Sequence, residues 1–171
     1  MVNAFLKAVD KHVIAESTNL VATNYGAHIY NVKASADIDN GKLVNIDDMK
    51  YEANEYYTMV TPTATSRVGL VLSVPVGADE RPLAATYEYN FYNGTGEIMR
   101  VYELVRGDKF IVSANGVKGS DVKKGKYVTA SDYDLNAVED MTAGNAFYGE
   151  IIEEVKRTDG KYFKILVRKN G

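Results

Sequence analysis

Asp37-Ile-Asp-Asn-Gly-Lys-Leu-Val44 has a close counterpart later in the chain, Asp121-Val-Lys-Lys-Gly-Lys-Tyr-Val128. Both stretches follow the pattern D-[IV]-x-x-G-K-[LY]-V. The pattern combines an apolar anchor, Ile38 or Val122, with a turn glycine and a strand whose successive side chains point to opposite faces. A pattern that recurs in this way predicts two copies of one small, curved β unit.

A second similarity follows each stretch. Arg67-Val-Gly-Leu-Val-Leu-Ser73 comes after the first, and Phe147-Tyr-Gly-Glu-Ile-Ile-Glu153 comes after the second. Each has a glycine inside an apolar strand, which permits a bulge or a close approach of two backbones, as sharply curved sheets require. The two copies are therefore predicted at residues 27–80 and 108–171.

Short β-branched and aromatic runs, separated by Gly, Asn and Asp, fill the chain from about residue 27 onward. This sequence pattern predicts a mainly β fold, either a small β-barrel or two related β-barrel-like lobes. The expected organisation is an N-terminal arm or short helix at residues 1–26, with apolar residues of 2–15 on one helical face, and a β domain at 27–171. Strands are predicted at residues 28–33, 42–46, 56–60, 67–74, 85–92, 97–105, 108–113, 126–130, 147–156 and 161–168.

Turn chemistry predicts a tyrosine-rich hairpin at residues 85–105, between the two copies. Tyr87, Tyr89 and Phe91 alternate along one face of its first strand, and Asn93-Gly94 would supply the positive φ that a tight turn needs.

A second hairpin is predicted at the C-terminus, with its turn at Arg157-Thr-Asp-Gly160. Strict alternation in its last strand predicts that Phe163, Ile165 and Val167 face the core.

Composition and charge narrow the classes of function. The chain has 171 residues, 20 basic and 23 acidic side chains and a formal charge of −3, so it lacks the strong positive field that nucleic acid binding needs. Cysteine is absent, which removes disulfides and thiolate chemistry. No run approaches the roughly 20 apolar residues of a membrane span, and the N-terminus lacks a secretion signal. We expect synthesis in the cytoplasm, with neither nucleic acid nor membrane as partner.

Catalytic and metal-binding patterns are weak. His12 and His28 lie in different kinds of segment, and no G-x-S-x-G, G-x-G-x-x-G or Walker sequence occurs. The acidic group Asp37, Asp39, Asp47 and Asp48 does not match a calcium loop, so turn formation explains it better than a metal site. We expect no enzyme activity, no cofactor and no bound metal.

Aromatic residues are the best candidates for contact with a partner. The chain has 13 tyrosines and no tryptophan, and tyrosine suits half-buried strand faces and wet interfaces. The pair Tyr56-Tyr57 and the stripe in the predicted hairpin could bind a partner or a sugar, or one stripe could form the barrel core. The candidate partner-binding residues are Phe5, Leu6, Tyr56, Tyr57, Tyr87, Tyr89, Phe91 and Tyr92.

The order of turn, G-K-[LY]-V strand, variable loop, glycine-containing strand and closing hairpin resembles the small β-barrel head decoration, or cement, proteins of tailed bacteriophages. Residues 119–129, 146–153 and 161–167 carry this resemblance. They cover about the last third of the chain well, and the first copy covers part of the rest. The motif is short and generic, because any small barrel needs a turn glycine followed by an apolar strand.

The resemblance implies a non-enzymatic structural protein of the virion. It would bind the major capsid protein or another virion protein and strengthen the shell, and it could form a homo-oligomer. The greater length of this chain, its N-terminal segment and its tyrosine-rich hairpin depart from the simplest members of the group. These departures leave open a tail- or fibre-associated role or a carbohydrate-binding β-module.

Overall fold

The computed structural model describes residues 12–74, 88–141 and 144–171. Over these ranges the chain is mainly β, with two sheets, one of which curls into a half-barrel. The predicted fold class is thereby confirmed. Most of the predicted N-terminal helix, residues 2–15, lies outside the described residues, and the predicted limits of the arm, the β domain and the two copies stay predictions.

Strands account for most of the regular structure in the described ranges, joined by short 3-10 turns such as Val21–Thr23 and Gly26–His28. Each predicted strand has a counterpart except the one at residues 85–92, of which only 88–92 are described and form no strand. Strands β1, β4, β9 and β11 were not predicted. In chain order the strands are β1 (Ala15–Asn19), β2 (Ile29–Lys33), β3 (Leu43–Asn45), β4 (Tyr51–Glu52), β5 (Tyr56–Thr58), β6 (Val68–Val71), β7 (Ile98–Glu103), β8 (Lys109–Ser113), β9 (Val117–Lys118), β10 (Tyr127–Ser131), β11 (Asp134–Val138), β12 (Phe147–Arg157) and β13 (Gly160–Asn170).

The two sheets contain the same four-strand arrangement. The six-stranded sheet has the order β3-β6-β7-β2-β5-β4, and the seven-stranded sheet has the order β1-β8-β13-β12-β10-β11-β9. Read from the strand that follows each G-K pair, the shared part is β3-β6-β7-β2 in one sheet and β10-β12-β13-β8 in the other. All neighbours within these parts are antiparallel. We call them the first and the second four-strand unit.

The register of the two units agrees residue by residue. Val44 lies opposite Gly69 in the first unit, as Val128 lies opposite Gly149 in the second. Hydrogen bonds of the turn glycines agree as well, because Gly41 N donates to Val71 O and Gly125 N donates to Ile151 O, both at 2.8 Å. The repeated sequence pattern therefore occupies equivalent places in the two sheets.

The pattern glycines adopt the backbone conformation that their turns need. Gly41 and Gly125 have φ of 82° and 89°, the left-handed region in which a side chain is strained. The strands that follow bury Leu43, Val44 and Val128 completely. In both units, the strand that follows the glycine turn is therefore buried in the core.

The first unit is buried on both faces of its sheet. Val44 and Val71 belong to a smaller cluster on one face, while Leu43, Val68 and Leu70 point to the other face and join the larger cluster. The second unit contributes more residues to that larger cluster than the first, and its fully buried members include Phe110, Val112, Val128, Ile151 and Ile165. One face of the first unit therefore covers the core of the second. Burial on both faces explains why strands such as β6 are continuous apolar runs in the sequence.

Polar contacts also join the units. The side chain of Asn170 on β13 binds the backbone of Val68 and Leu104, and Asp134 on β11 forms ion pairs with Lys42 and Lys118. Burial would raise the pKa of Asp134, but the hydrogen bonds from the two lysines hold it below its usual value.

The residues described between 88 and 105 do not form the predicted tyrosine-rich hairpin. Glu88–Asn90 form a 3-10 turn, and Asn93 pairs with Ile38 through two reciprocal backbone hydrogen bonds of 2.8 and 3.0 Å. The positive φ falls at Gly96 and not at the predicted position. Strand β7 pairs instead with β2 and β6. Met99 lies opposite Val32 of β2, and Val101 lies opposite Val71 of β6.

The C-terminal hairpin is confirmed. Strands β12 and β13 pair along their length and turn between Arg157 and Gly160, with two register shifts in the ladder. Phe163, Ile165 and Val167 are at most 3% exposed and belong to the larger core cluster, as predicted.

Candidate functional site

Three tyrosines lie on one face of the six-stranded sheet at its β2-β5-β4 side. The ring centroid of Tyr57 lies 5.4 Å from that of Tyr30, nearly perpendicular at 89°, and 5.0 Å from that of Tyr51 at a tilt of 49°. Tyr56, the preceding residue of β5, points to the opposite face, where the Nζ of Lys33 lies 5.0 Å from its ring centroid. We call Tyr30, Tyr51 and Tyr57 the tyrosine surface.

A short hairpin positions the two outer strands of this surface. β4 pairs antiparallel with β5, so that Tyr51 lies opposite Tyr57, and β5 pairs parallel with β2. Ala53 and Asn54 form the turn with φ of 52° and 56°. A pair of left-handed residues is typical of a type I′ turn, and Glu55 N closes this one by donating to Glu52 O at 3.1 Å. The outermost ring, that of Tyr51, is 55% exposed.

A buried carboxylate holds the inner edge of the tyrosine surface. Glu103 on β7 is 12% exposed, and its Oε2 accepts a hydrogen bond of 3.0 Å from the hydroxyl of Tyr30 and lies 2.9 Å from His28 Nδ1. Its Oε1 lies 3.2 Å from Arg67 Nη1, and Arg67 also binds Asp47 at 2.8 Å. Because both oxygens of Glu103 are engaged, this group fixes the side chains around it. We call His28, Tyr30, Arg67 and Glu103 the Glu103 cluster.

The Glu103 cluster changes the acidity of its tyrosine. Burial, followed by the hydrogen bond to the Glu103 carboxylate, raises the pKa of Tyr30 to about 12. The hydroxyl therefore remains a hydrogen-bond donor across the physiological range.

The second unit has apolar residues at the places that Tyr30, Arg67 and Glu103 occupy in the first. From the shared register, Tyr30, Glu103 and Arg67 correspond to Phe110, Val167 and Phe147, all of which lie in the larger core cluster. The two units thus share a backbone arrangement but differ in chemistry. The polar and aromatic side chains of the first unit are not required by the four-strand arrangement itself.

The predicted candidates Tyr89, Phe91 and Tyr92 lie on a separate segment. The carbonyl of Tyr89 accepts a hydrogen bond of 2.8 Å from His12 N, and the ring of Tyr92 stacks on His12 at 4.9 Å. Phe91 is 7% exposed and Tyr92 is half-buried. Phe5, Leu6 and Tyr87 lie outside the described residues, so their role and that of the whole set as partner contacts stay predictions.

The four aspartates that were considered for a calcium loop bind different partners. Asp37 accepts hydrogen bonds from Thr95, and Asp39 binds His12 and Val13 N. Asp47 pairs with Arg67, and Asp48 accepts a hydrogen bond from the side chain of Asn45. In the parts of the chain that the structure describes, no group of three or more His, Cys, Asp or Glu could hold a metal ion.

Sequence reasoning named Tyr57 but missed Tyr30, Tyr51 and Glu103, and the structure places the other named residue of the pair, Tyr56, on the opposite face of the sheet. A signal for Glu103 was present, because alternation in β7 puts it on the same face as the buried Met99 and Val101. A carboxylate on an apolar face needs a partner, and here it has three.

Comparison of the chain with protein-family models, curated proteins and solved structures finds no match. Among the described residues, no helix is long and apolar enough to cross a membrane.

Proposed function

We propose that this chain is a non-enzymatic structural protein that binds the surface of a viral capsid and stabilises it. The proposal starts from the resemblance of its G-K-[LY]-V strands to phage decoration proteins. In this role it would reside in the virion after synthesis in the host cytoplasm, and its partner would be the major capsid protein or another virion protein.

The tyrosine surface is the observation that carries the proposal. It combines an exposed ring, that of Tyr51, with half-buried rings that their neighbours hold in place. Rigid tyrosines with one wet side supply much of the contact energy in protein interfaces at a low cost in side-chain entropy. Repeated copies on a shell would add avidity to a modest individual contact.

The surroundings of the tyrosines suit a contact surface better than a reaction site. Both oxygens of Glu103 are engaged by His28, Tyr30 and Arg67, so the carboxylate orients its neighbours. The second unit packs against the back of the first and gives this surface a firm support.

A carbohydrate-binding module is the second candidate. The exposed ring of Tyr51 offers a flat aromatic face of the kind on which a sugar can stack. A tail- or fibre-associated protein would use the same surface.

Co-sedimentation with purified capsids that lack this protein tests the proposal. We expect the protein to sediment with the capsids and to saturate at a fixed number of copies per shell. Absence from the pellet, together with binding to a glycan array, would replace the capsid role with the carbohydrate role. Tyr51→Ala should weaken the association, and Tyr25→Ala, at another exposed tyrosine, serves as the matched control.

A further inference from the structure

We propose that the free edge of strand β1 pairs antiparallel with β1 of a second copy of this chain, so that the two seven-stranded sheets join into one continuous sheet. The proposal concerns association of the chain with itself and does not rest on the capsid role. It is supported by the open backbone of β1, by the spacing of its free groups and by the charge balance around it.

The outer edge of β1 carries backbone groups that no bond within the described residues uses. β1 lies at the end of the seven-stranded sheet and pairs on one side only, with β8. Ser113 N donates to Ile14 O at 2.9 Å, which fixes the alternation of hydrogen bonds along this antiparallel ladder. The N–H and C=O groups of Ala15 and Ser17 therefore point away from β8, and in the described parts of the chain they bind no other backbone group. Such an edge is a template for another strand.

The other sheet edges are less suited to accept a strand. At the β3 edge, Leu43 N donates to Tyr133 O and Asn45 N donates to Val60 O, so these groups are already engaged. The remaining edge strands, β4 and β9, have two residues each. β1 has five residues and contains no proline, lysine or arginine, the residues that commonly protect an edge from pairing. Among the described strands, β1 is therefore the most open edge.

The limits of the open stretch set the register of the pairing. Asp39 accepts a hydrogen bond of 3.1 Å from Val13 N, and a register shift in the β1-β8 ladder follows Ser17. The free groups are thus those of Ala15 and Ser17, on either side of Glu16. When two β1 strands pair antiparallel about Glu16, Ala15 of each copy lies opposite Ser17 of the other, and each of these residues donates one hydrogen bond and accepts one. The edge is therefore self-complementary, as a two-fold interface requires.

The charge at the centre of this pairing is balanced within each copy. Glu16 would face Glu16 of the second copy, and like charges directly opposite each other destabilise a ladder. Both oxygens of the Glu16 carboxylate bind Arg157, with Nη2 donating to Oε2 at 2.8 Å, and this contact holds the pKa of Glu16 below its usual value. Two such ion pairs side by side let each guanidinium attract both carboxylates. The interface therefore combines complementary charges with matched hydrogen bonds.

Sedimentation velocity of the full chain over a range of concentrations tests for the dimer. We expect a monomer–dimer equilibrium. Ser17→Pro removes an N–H that the fold does not use and should weaken the dimer by at least roughly tenfold, because each dimer loses two hydrogen bonds. Ser17→Ala keeps the N–H and is the matched control, with dimerisation unchanged. A chain that is monomeric at every concentration, or equal dimerisation of the native chain and Ser17→Pro, would overturn the inference.

Amide hydrogen exchange of the native chain tests the interface without a substitution. The N–H groups of Ala15 and Ser17 should exchange rapidly in dilute solution and become protected in concentrated solution. The N–H of Glu16 points toward β8 and is the internal reference, with similar protection at both concentrations. A dimer that leaves Ala15 and Ser17 unprotected uses another surface and contradicts the pairing of β1 edges.

Capsid co-sedimentation separates this inference from the proposed function. If the chain dimerises through β1 but does not sediment with capsids, the capsid role fails and the pairing of β1 stands. If the chain stays monomeric in solution and capsids protect the Ala15 and Ser17 amides, a shell protein occupies the edge. In that case the capsid role stands and the inference of a second copy is wrong.

Discussion

Gly69 lies opposite Val44 in the β3-β6 ladder, at a point where the sheet has no room for a side chain. A Cβ atom at Gly69 would lie 2.4 Å from Val101 Cγ1. Gly149 has the equivalent place in the second unit, where a Cβ atom would lie 2.6 Å from Ile165 Cγ2. Both units therefore close their cores over a glycine.

Gly69→Ala should lower the free energy of unfolding by about 2–3 kcal/mol, because the added methyl group must displace a buried valine. Denaturant unfolding measures the change. Gly26→Ala is the matched control, since no atom lies within 4 Å of the added Cβ and its φ is not left-handed. A similar loss in both variants would show that the close approach at Gly69 does not determine the effect.

Asn170→Ala should destabilise the chain by about 2–3 kcal/mol. The side-chain Nδ2 donates to Val68 O and Leu104 O at 2.9 and 2.6 Å, and Oδ1 accepts from Val68 N at 2.8 Å. The substitution leaves three backbone groups of the first unit without these partners.

Asn170→Asp gives a sharper test, because its carboxylate can accept from Val68 N but cannot donate to either carbonyl. We expect it to be nearly as destabilising as Asn170→Ala. Asn31→Ala, at an exposed site on β2, should change stability little. Native-like stability of the aspartate variant would contradict the importance of the two donated hydrogen bonds.

Tyr30→Phe should change how stability depends on alkaline pH. The pKa of Tyr30 is raised to about 12 in the folded chain, above its ordinary value of 10. Its contribution is therefore fully present below about pH 10 and is lost as the pH rises toward 12. We expect the native chain to be more stable than the variant at neutral pH and this difference to shrink across that window.

Urea unfolding at several pH values measures this difference. Tyr25→Phe is the control, since Tyr25 is 63% exposed. A difference between native chain and Tyr30→Phe that stays constant up to pH 12 would argue against the raised pKa.

Ala53→Gly should stabilise the chain by about 0.5–1 kcal/mol. Relief of the left-handed strain at φ 52° outweighs the greater freedom of glycine in the unfolded chain. Ala36→Gly, at an exposed position without positive φ, should be neutral or slightly destabilising. Thermal unfolding of the two variants compares them directly, and a lower midpoint for Ala53→Gly would contradict the strain.

Local sequence patterns were sufficient for three elements whose turns carry a glycine, although they failed for the hairpin predicted at Asn93-Gly94. The C-terminal hairpin turns at Gly160, and strands β3 and β10 follow Gly41 and Gly125. Each of these glycines adopts the special backbone that its turn or chain reversal uses, so sequence and structure agree there.

Hairpins whose turns lack glycine were missed. The β4-β5 turn uses Ala53 and Asn54, and the β10-β11 turn uses Asp132 and Tyr133 with φ of 49° and 66°. Tyr133 is held there by tertiary contacts, since its hydroxyl accepts a hydrogen bond from Thr61 and its carbonyl accepts one from Leu43 N. Contacts between distant parts of the chain, and not local preference, therefore select the β10-β11 turn.

The candidate site was found only in part for a similar reason. His28 and Glu103 are 75 positions apart, and they meet because β2 and β7 pair in a register that no short pattern specifies. Tyr57 was visible in the sequence as one of two adjacent aromatic residues, whereas Tyr30 and Tyr51 become its neighbours only through the sheet.

The early strand β1 has a consequence for how the chain is made. Its partner is β8 of the seven-stranded sheet, and every strand of the six-stranded sheet lies between them in the chain. On the ribosome, β1 must therefore wait until β8 has emerged, by which time the first unit has been synthesised in full. A break between β7 and β8 would separate β1 from its own sheet, so the two halves of the chain are tied together by the order of their assembly as well as by their shared core.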